Sequence, residues 1–464
     1  MGREQGNKGA EKRGENGIFQ DMRVLGILNK HRFDIPSHGD AARPVVALHA
    51  VIGGERLPEK ILIVVCDGLG DRPMEGLGNK TPLQSVARPT LNHFARNGAC
   101  GIVDIIAPGV RPGSDTAHLA LFGHDPFKVY TGRGPFEAMG VGMEVRPGDV
   151  AFRCNFSTVS PDMTIVDRRA GRIRERTAEL ARSLDNWEFE GVKVYFKEGT
   201  EHRGVLLLRA PGLSPLVTDS DPHQEGVKPH ECAPKAPEAA LTARVVNAFV
   251  KRSYGILKDH PVNKARTKAG EHPANIVLPR GAGIMPHIPT FQERFGIKSA
   301  AIAGVALVKG ICRISGMDII EVKGATGGLG TDMDAKTTAA IKALDKYDLV
   351  FVNIKAADLC GHDGDPKGKA SIVRRLDKAM AVIRKGLPPG AFFALTADHS
   401  TPCCVKDHTG DPVPLVIYGK GVRPDNVRTF DEISCARGGL GRLRGVDLLP
   451  VLLDLSGRAE KFGA

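Results

Sequence analysis

The sequence predicts an α/β protein in which helices flank a buried sheet of parallel type and a second α+β domain is inserted into the chain. Two observations predict it. From residue 61 onward, short apolar runs rich in β-branched residues alternate with helical segments: "ILIVVC" (61–66), "GIVDII" (101–106), "YDLVFVNIK" (347–355), "AFFALTA" (391–397) and "PLVIYG" (414–419). Runs without polar alternation mark strands buried on both faces, as in a parallel sheet covered by helices. Between roughly 155 and 325 the texture changes to Arg-rich turns such as "DRRAGRIRER", which marks the second domain.

Along the chain, residues 1–58 begin with "MGREQGNKGAEKRGENG", a polar, Gly-rich stretch of mixed charge that buries too little apolar surface to offset its ordering entropy. This extension is expected to be partly disordered. Its acidic residues and lack of a continuous apolar segment fit neither a transit peptide nor a secretory signal. Residues 59–154 and 326–464 are expected to form the larger domain and 155–325 the insert. The insert carries a helical segment near 237–258 and strands in "GVLLLRA" and "AAIAGVALV". The Gly-rich "GATGGLGTD" (324–332) marks the expected return crossing. No GK[ST] follows it, so it reads as a hinge, not a phosphate loop.

Composition narrows the function. With 464 residues, 42% hydrophobic and 25% charged, the chain can bury two cores, which excludes fibrous and disorder-dominated classes. No apolar run approaches the roughly 20 residues of a membrane span. Nine cysteines without CxxC pairs point to reduced thiols and a cytoplasmic setting. The formal net charge is +11, but the basic residues are dispersed and aromatics make up only 5%, so no nucleic-acid signature interleaves the two. A small anionic metabolite is the better-matched partner.

The chemistry-bearing residues share one topological property. Asp67 follows the run "ILIVVC"; Asp358 and His362 follow "YDLVFVNIK"; Asp398 and His399 follow "AFFALTA", with His408 nine residues after His399. The C-terminal edge of an open α/β sheet is where ligands bind. Three Asp and three His there suffice for two metal ions, and the mixed donors suit Mn or Zn better than Ca. Ser114, in "RPGSDTAHLALFGHDP" (111–126), opens an apolar helical run. A helix N-terminus favours phosphate, which makes Ser114 a candidate phosphoryl acceptor once a base or metal activates it. The ordinary alternative for each Asp and for Ser114 is a turn or cap residue.

The motifs "CDGLGDRP", "PGSDTAHLALFGHDP", "GRGPFEAMGVG", "DRRAGRI", "RGAG", "AADLCGHD", "TADHSTPC", "HTGDPVPL" and the C-terminal "EKFGA" together resemble the archaeal type of cofactor-independent phosphoglycerate mutase, within the alkaline phosphatase superfamily. The resemblance is collinear from about residue 60 to the end and leaves out residues 1–58. It implies an alkaline phosphatase-like three-layer α/β/α core with two divalent ions, Mn expected and Zn, Co or Mg as alternatives. One metal would be held by Asp67, Ser114, Asp398 and His399, the other by Asp358, His362 and His408. It implies that Ser114 takes the phosphoryl group of 3-phosphoglycerate and returns it to the 2-hydroxyl, with no 2,3-bisphosphoglycerate required. The insert is expected to recognise the substrate carboxylate and phosphate through Arg168, Arg203 and Arg280, with Lys309 as a further candidate, since guanidinium forks suit both anions. Asp167 and His202 are the candidates for moving the glycerate hydroxyl protons.

Two features depart from or add to this pattern. Ala357 stands before Asp358 where a more polar residue is expected, and Cys403 and Cys404 lie near enough in sequence to His399 and His408 to offer a thiolate. The expected partner is a small phosphoglycerate, with no nucleic acid and no membrane; nothing in the sequence sets an oligomeric state. The competing readings are a two-metal phosphomonoesterase, a homoserine-kinase-like phosphotransferase, and a non-catalytic scaffold. The last has no use for both a ligand set and a placed serine.

Overall fold

A computed structural model describes residues 59–463, and fourteen strands lie among them. The expectation of a partly disordered 1–58 extension lies outside the described residues. In chain order the strands are β1 (Ile61–Cys66), β2 (Ala99–Asp104), β3 (Val150–Val159), β4 (Ile165–Asp167), β5 (Trp187–Phe189), β6 (Val192–Glu198) and β7 (Arg203–Arg209). They continue with β8 (Ile276–Ile284), β9 (Ser299–Ile302), β10 (Asp318–Ile319), β11 (Leu349–Ile354), β12 (Phe392–Thr396), β13 (Val413–Tyr418) and β14 (Gly441–Arg444).

Eight of them form the larger sheet in the order β10-β9-β11-β1-β12-β13-β2-β14. Every residue of β1, β11 and β12 is buried. Because successive side chains point to opposite faces, this burial means that both faces are covered. Two packed groups of helices supply the cover. Pro89–Asn97, Met333–Ala343 and Pro366–Gly386 form one; Ser114–Leu121, Ala306–Ile314 and Gly445–Leu455 form the other. Each fully buried Ile, Val or Leu contributes about 1.5–3 kcal/mol, so the strands themselves anchor the layer.

Every strand of this sheet runs the same way except β13, which is antiparallel to both β12 and β2. The reversal has a local consequence. Residues 397–412, between β12 and β13, begin and end at the same edge of the sheet, where β1 and β11 also end. Asp67, Asp358, Asp398, His399 and His408 are thereby delivered to one edge.

The smaller sheet has the order β4-β3-β7-β6-β5, with β8 also paired to β3, and every pairing in it is antiparallel. Period-two alternation divides its faces. Val150, Phe152, Cys154, Leu206 and Leu208 enter a core with Val245, Val246 and Phe249 of the helix Ala240–Leu257. On the opposite face Ala151, Val205 and Leu207 pack with Ala138 and Val145.

The expected insert of 155–325 differs from this pairing at its C-terminal side. β9 and β10 pair within the larger sheet, and "AAIAGVALV" splits into β9 and the start of the helix Ala306–Ile314. A continuous apolar run signals a buried strand without specifying which sheet buries it. The smaller sheet is drawn from 150–284, and the chain rejoins the larger sheet at β9, before the Gly-rich 324–332 segment.

Candidate metal and phosphoryl-transfer site

Asp67 is the first residue beyond β1, held there by its own N–H donating to the Ile354 carbonyl at 2.8 Å. Gly68 then turns with φ +64°, and a Cβ placed on it would lie 2.6 Å from Asp358 Cα. Only glycine permits that approach and that dihedral together. The helix Ala356–Asp363 presents Asp358 and His362 one turn apart on one face, as four-residue spacing requires. His362 Nε2 lies 3.4 Å and His408 Nε2 3.5 Å from Asp358 Oδ1. The other ring nitrogens are held by main-chain carbonyls, His362 Nδ1 by Lys406 at 3.0 Å and His408 Nδ1 by Pro112 at 2.8 Å. Such outer bonds fix the rings and turn Nε2 inward, an arrangement typical of metal-ligating histidines.

Ser114 is the first residue of the helix Ser114–Leu121, not its cap. Gly113 occupies the cap position and its N–H donates to Thr116 Oγ1, so the Ser114 hydroxyl is released from capping. Ser114 Oγ instead lies 3.3 Å from His399 Nε2. The histidine tautomer follows from its neighbours. Thr401 Oγ1 donates its one proton to Asp358 Oδ1 at 2.8 Å, so it can only accept from His399 Nδ1, 2.9 Å away. Nδ1 therefore carries the proton and Nε2 presents a lone pair.

That lone pair faces acceptors. His399 Nε2 is 3.1 Å from Asp398 Oδ2, and Asp398 Oδ2 has no hydrogen-bond partner among the described residues, although Asp398 and His399 are fully buried. Asp67 Oδ2 is likewise buried and unpartnered, while Oδ1 accepts from Asn353 Nδ2 at 2.6 Å. Buried acceptors converging without a proton between them are costly unless a cation joins them. The donor set thus fits a divalent metal. Two groups lie within metal-chelating distance: Asp358, His399 and His408, and Asp67, His118 and Asp398. His399 stands between them, its two nitrogens facing opposite ways.

Burial pushes the Asp67 carboxyl well up, and the neighbouring Asp398 charge adds to it. Burial, the largest single influence, would raise Asp358 too, but the Lys355 ammonium at 2.7 Å together with His408, His399 and His362 outweighs it and holds Asp358 well below the usual range. Burial alone would lower His408; its contact with Asp358 reverses the direction.

His118, Lys355 and Thr401 were not singled out by the sequence reading. His118 sits four residues after Ser114 on the same helix, with Nδ1 on the Ser114 carbonyl at 2.6 Å. That spacing was the available signal. Lys355, the first residue past β11, is also 3.8 Å from Asp67 Oδ2. The cysteines take no part: Cys403 is buried with Sγ 3.9 Å from the Cys360 carbonyl, Cys404 is exposed, and neither chelating group includes them.

Next to the acidic edge lies a cleft of about 500 Å³, lined by Arg133, Glu137, Arg153, Arg203, Thr326 and Lys355 among others. Arg203 was expected there; Arg133 and Arg153 were not. Arg153 is opposite Arg280 on β8 and Val205 on β7, so like charges face each other across adjacent strands, which is unfavourable without a bound anion. Burial, and then Arg133, pull Arg153 down to about 9. Two carboxylates, Glu137 and Glu201, line this cleft; Glu137 accepts from Arg133 Nε at 3.0 Å and lies 3.8 Å from Arg153 Nε.

The remaining expected residues are placed differently. Arg168 makes a bidentate pair with the buried Asp221 at 2.9 and 2.7 Å, and Arg280 Nε lies 3.5 Å from the same carboxylate. Asp167 spends both oxygens on the N–H groups of Arg169 and Gly171, at 2.6 and 2.9 Å, as a turn residue does. Lys309 pairs with Glu321 at 2.7 Å from the helix Ala306–Ile314, outside the smaller sheet. His202 is buried with Nδ1 unpartnered among the described residues, and burial followed by Arg203 lowers it to about 3.

Comparison with known proteins places this geometry in context. A family model described as 2,3-bisphosphoglycerate-independent phosphoglycerate mutase matches residues 95–263. The chain is 51% identical over 411 residues to 2,3-bisphosphoglycerate-independent phosphoglycerate mutase 1 of Methanothermobacter thermautotrophicus, covering 87% of this chain and 100% of that one. It is 51% identical over 413 residues to the corresponding mutase of Ignicoccus hospitalis, with 87% and 99% covered. Among solved structures, a Pyrococcus horikoshii protein matches with a TM-score of 0.78 at 39% identity, covering 88% of this chain and 100% of that one. The cofactor-independent phosphoglycerate mutase of Thermoplasma acidophilum matches with a TM-score of 0.64 at 40% identity, covering 86% and 100%.

Proposed function

Since the chain belongs to the 2,3-bisphosphoglycerate-independent phosphoglycerate mutase family, we infer that it moves a phosphoryl group between the 3- and 2-hydroxyls of glycerate through Ser114. It is an enzyme, an intramolecular phosphotransferase interconverting 3-phosphoglycerate and 2-phosphoglycerate without 2,3-bisphosphoglycerate. One observation carries the role of Ser114: its hydroxyl is freed from capping and placed 3.3 Å from a histidine nitrogen with no proton to give.

Asp67, Ser114, Asp398 and His399 would hold one divalent ion, and Asp358, His362 and His408 the other. Manganese fits these oxygen and imidazole donors, with Zn, Co or Mg as alternatives. Bound there, two cations would neutralise phosphoryl charge and lower the pKa of the serine hydroxyl. The protein's own groups do the rest. In the first half-reaction the Ser114 Oγ–P bond forms as the bond from phosphorus to the 3-oxygen breaks, and the serine proton ends on that oxygen. In the second, the 2-oxygen gives up its proton, takes the phosphoryl group, and Ser114 is reprotonated.

His202, unpartnered at Nδ1, and Asp167 would move the hydroxyl protons, a substrate anion beside the neighbouring arginines raising His202 from about 3 toward the range that proton transfer needs. Arg203, Arg153 and Arg133 would grip the substrate anions in the cleft, with Arg168 and Arg280 behind them. A larger domain built from 59–149 and 285–463 would then carry the transfer chemistry and 150–284 the substrate grip. Because walls from both line the cleft, glycerate is kept in place and water kept from the phosphoserine. No helix of the described residues is long and apolar enough to cross a membrane. The reaction fits glycolysis and gluconeogenesis in the cytoplasm.

The test is a metal-stripped assay with 3-phosphoglycerate, Mn added back, no 2,3-bisphosphoglycerate, and both 2-phosphoglycerate and free phosphate quantified. Metal-dependent 2-phosphoglycerate with little phosphate is the expected result. Phosphate as the sole product would make the protein a phosphomonoesterase.

A further inference from the structure

Lys369, on the helix Pro366–Gly386, is fully buried, which is rare for lysine, and it lies outside both chelating groups. Its ammonium has three N–H groups and three acceptors. Nζ donates to Asp71 Oδ2 at 2.8 Å, to the Gly70 carbonyl at 3.0 Å and to the Thr401 carbonyl at 3.0 Å. The first contact balances charge; the other two reach the main chains of two different loops. One loop continues from Asp67 through Gly70, the other from Asp398 and His399 through Thr401.

These loops are also joined directly. The Gly70 carbonyl accepts from the Thr401 N–H at 3.1 Å, and the Cys403 N–H reaches both Asp71 oxygens at 3.2 Å. Their separation leaves no slack, since a Cβ on Gly70 would fall 2.1 Å from Ser400 Oγ. Thr401 in turn carries the hydroxyl that donates to Asp358 and accepts from His399. One buried ammonium therefore sits behind residues of all three acid-bearing segments.

We propose that Lys369 is a positioning residue that sets the spacing of the ligand loops, by holding the Gly70 and Thr401 carbonyls from a single ammonium. The proposal rests on the two-metal reading of the site. Charge neutrality alone does not account for the lysine, because a neutral pair in place of Lys369 and Asp71 would avoid the desolvation cost of both ions. An apolar residue in place of Lys369 would supply no donor to either carbonyl, so the two loops would lose the group that ties them. Groups that orient metal ligands from behind typically change metal affinity 10–100-fold when removed.

The experiment measures Mn affinity by calorimetry on metal-stripped full-length protein, together with thermal unfolding. Lys369→Met alone strands the Asp71 carboxylate and is expected to lower Tm. The double variant Lys369→Met, Asp71→Asn removes both charges, so Tm should recover while Mn affinity stays weakened about 10–100-fold. Arg88→Met, which breaks a buried pair with Asp431 that touches neither ligand loop, is expected to lower Tm with Mn affinity unchanged. Wild-type Mn affinity in a double variant of recovered Tm would overturn the proposal. Absence of Mn binding by the wild-type protein would overturn the two-metal reading instead, so the two failures are distinguishable.

Discussion

The acidic pocket and the basic cleft lie side by side, yet different kinds of backbone build them. The pocket gathers Asp67, Asp358, Asp398 and their histidines from the ends of three parallel strands, so residues far apart in sequence meet at a point. The cleft takes Arg153 and Arg203 from neighbouring antiparallel strands, whose alternation arrays long side chains over a surface. Strand-end loops suit chelation, which needs several short donors within a few ångströms. A sheet face suits grip on an extended anion. Each half is electrostatically incomplete alone, the pocket short of positive charge and the cleft short of negative charge.

That contrast can be broken from either side. The largest effect is expected from Ser114→Ala, which removes the acceptor: mutase turnover should fall by on the order of 10⁴-fold or more. Affinity for 3-phosphoglycerate, measured by calorimetry on the same variant, should stay within about 3-fold of wild type because the arginines are untouched. Normal turnover would remove the phosphoserine from the mechanism. A smaller and opposite pattern is expected from Arg203→Met. Loss of a charge-assisted contact worth about 1.5–3 kcal/mol should raise KM roughly 10–150-fold. Steady-state kinetics showing a fall in kcat at unchanged KM would instead place Arg203 with the chemistry.

The smallest effect concerns stability. His202 has its pKa depressed from 6.5 to about 3 by burial and then by Arg203, so the folded protein holds it neutral where the unfolded chain would protonate it. Its contribution is present above pH 6.5 and is lost as pH falls toward 3, by about 2 kcal/mol at pH 5. Denaturant melts of wild type and His202→Gln at pH 7.5 and pH 5 should differ by that amount in their pH dependence. An identical pH dependence in the two proteins would show that His202 is not held neutral by the cleft.

The sequence was most informative where a residue's role depends on its own strand. "ILIVVC" became β1 residue for residue, because a strand buried on both faces must be apolar throughout. "GIVDII" was placed two residues late, since its apolar run continues past the last ladder bond at Asp104. The strand-end acids were legible for the same reason as the strands. Arg133 and Arg153 were not, because their importance comes from facing Arg280, Arg203 and Lys355 across elements that only folding brings together. Asp167, in "VDRRAGR", also shapes the local turn, its two oxygens accepting from the Arg169 and Gly171 N–H groups.

One feature of the smaller sheet bears on mechanics. β3 brings the chain in and β8 takes it out, and the two are paired, with Val150 opposite Ile284. Entry and exit are therefore separated by a single strand spacing of about 5 Å. The segment between them is a detour whose ends already meet, so a tight turn could close the larger domain's chain if the detour were removed. β3 also pairs β7 on its other edge, so the strands of entry and exit are built into the smaller sheet and must move with it as one piece.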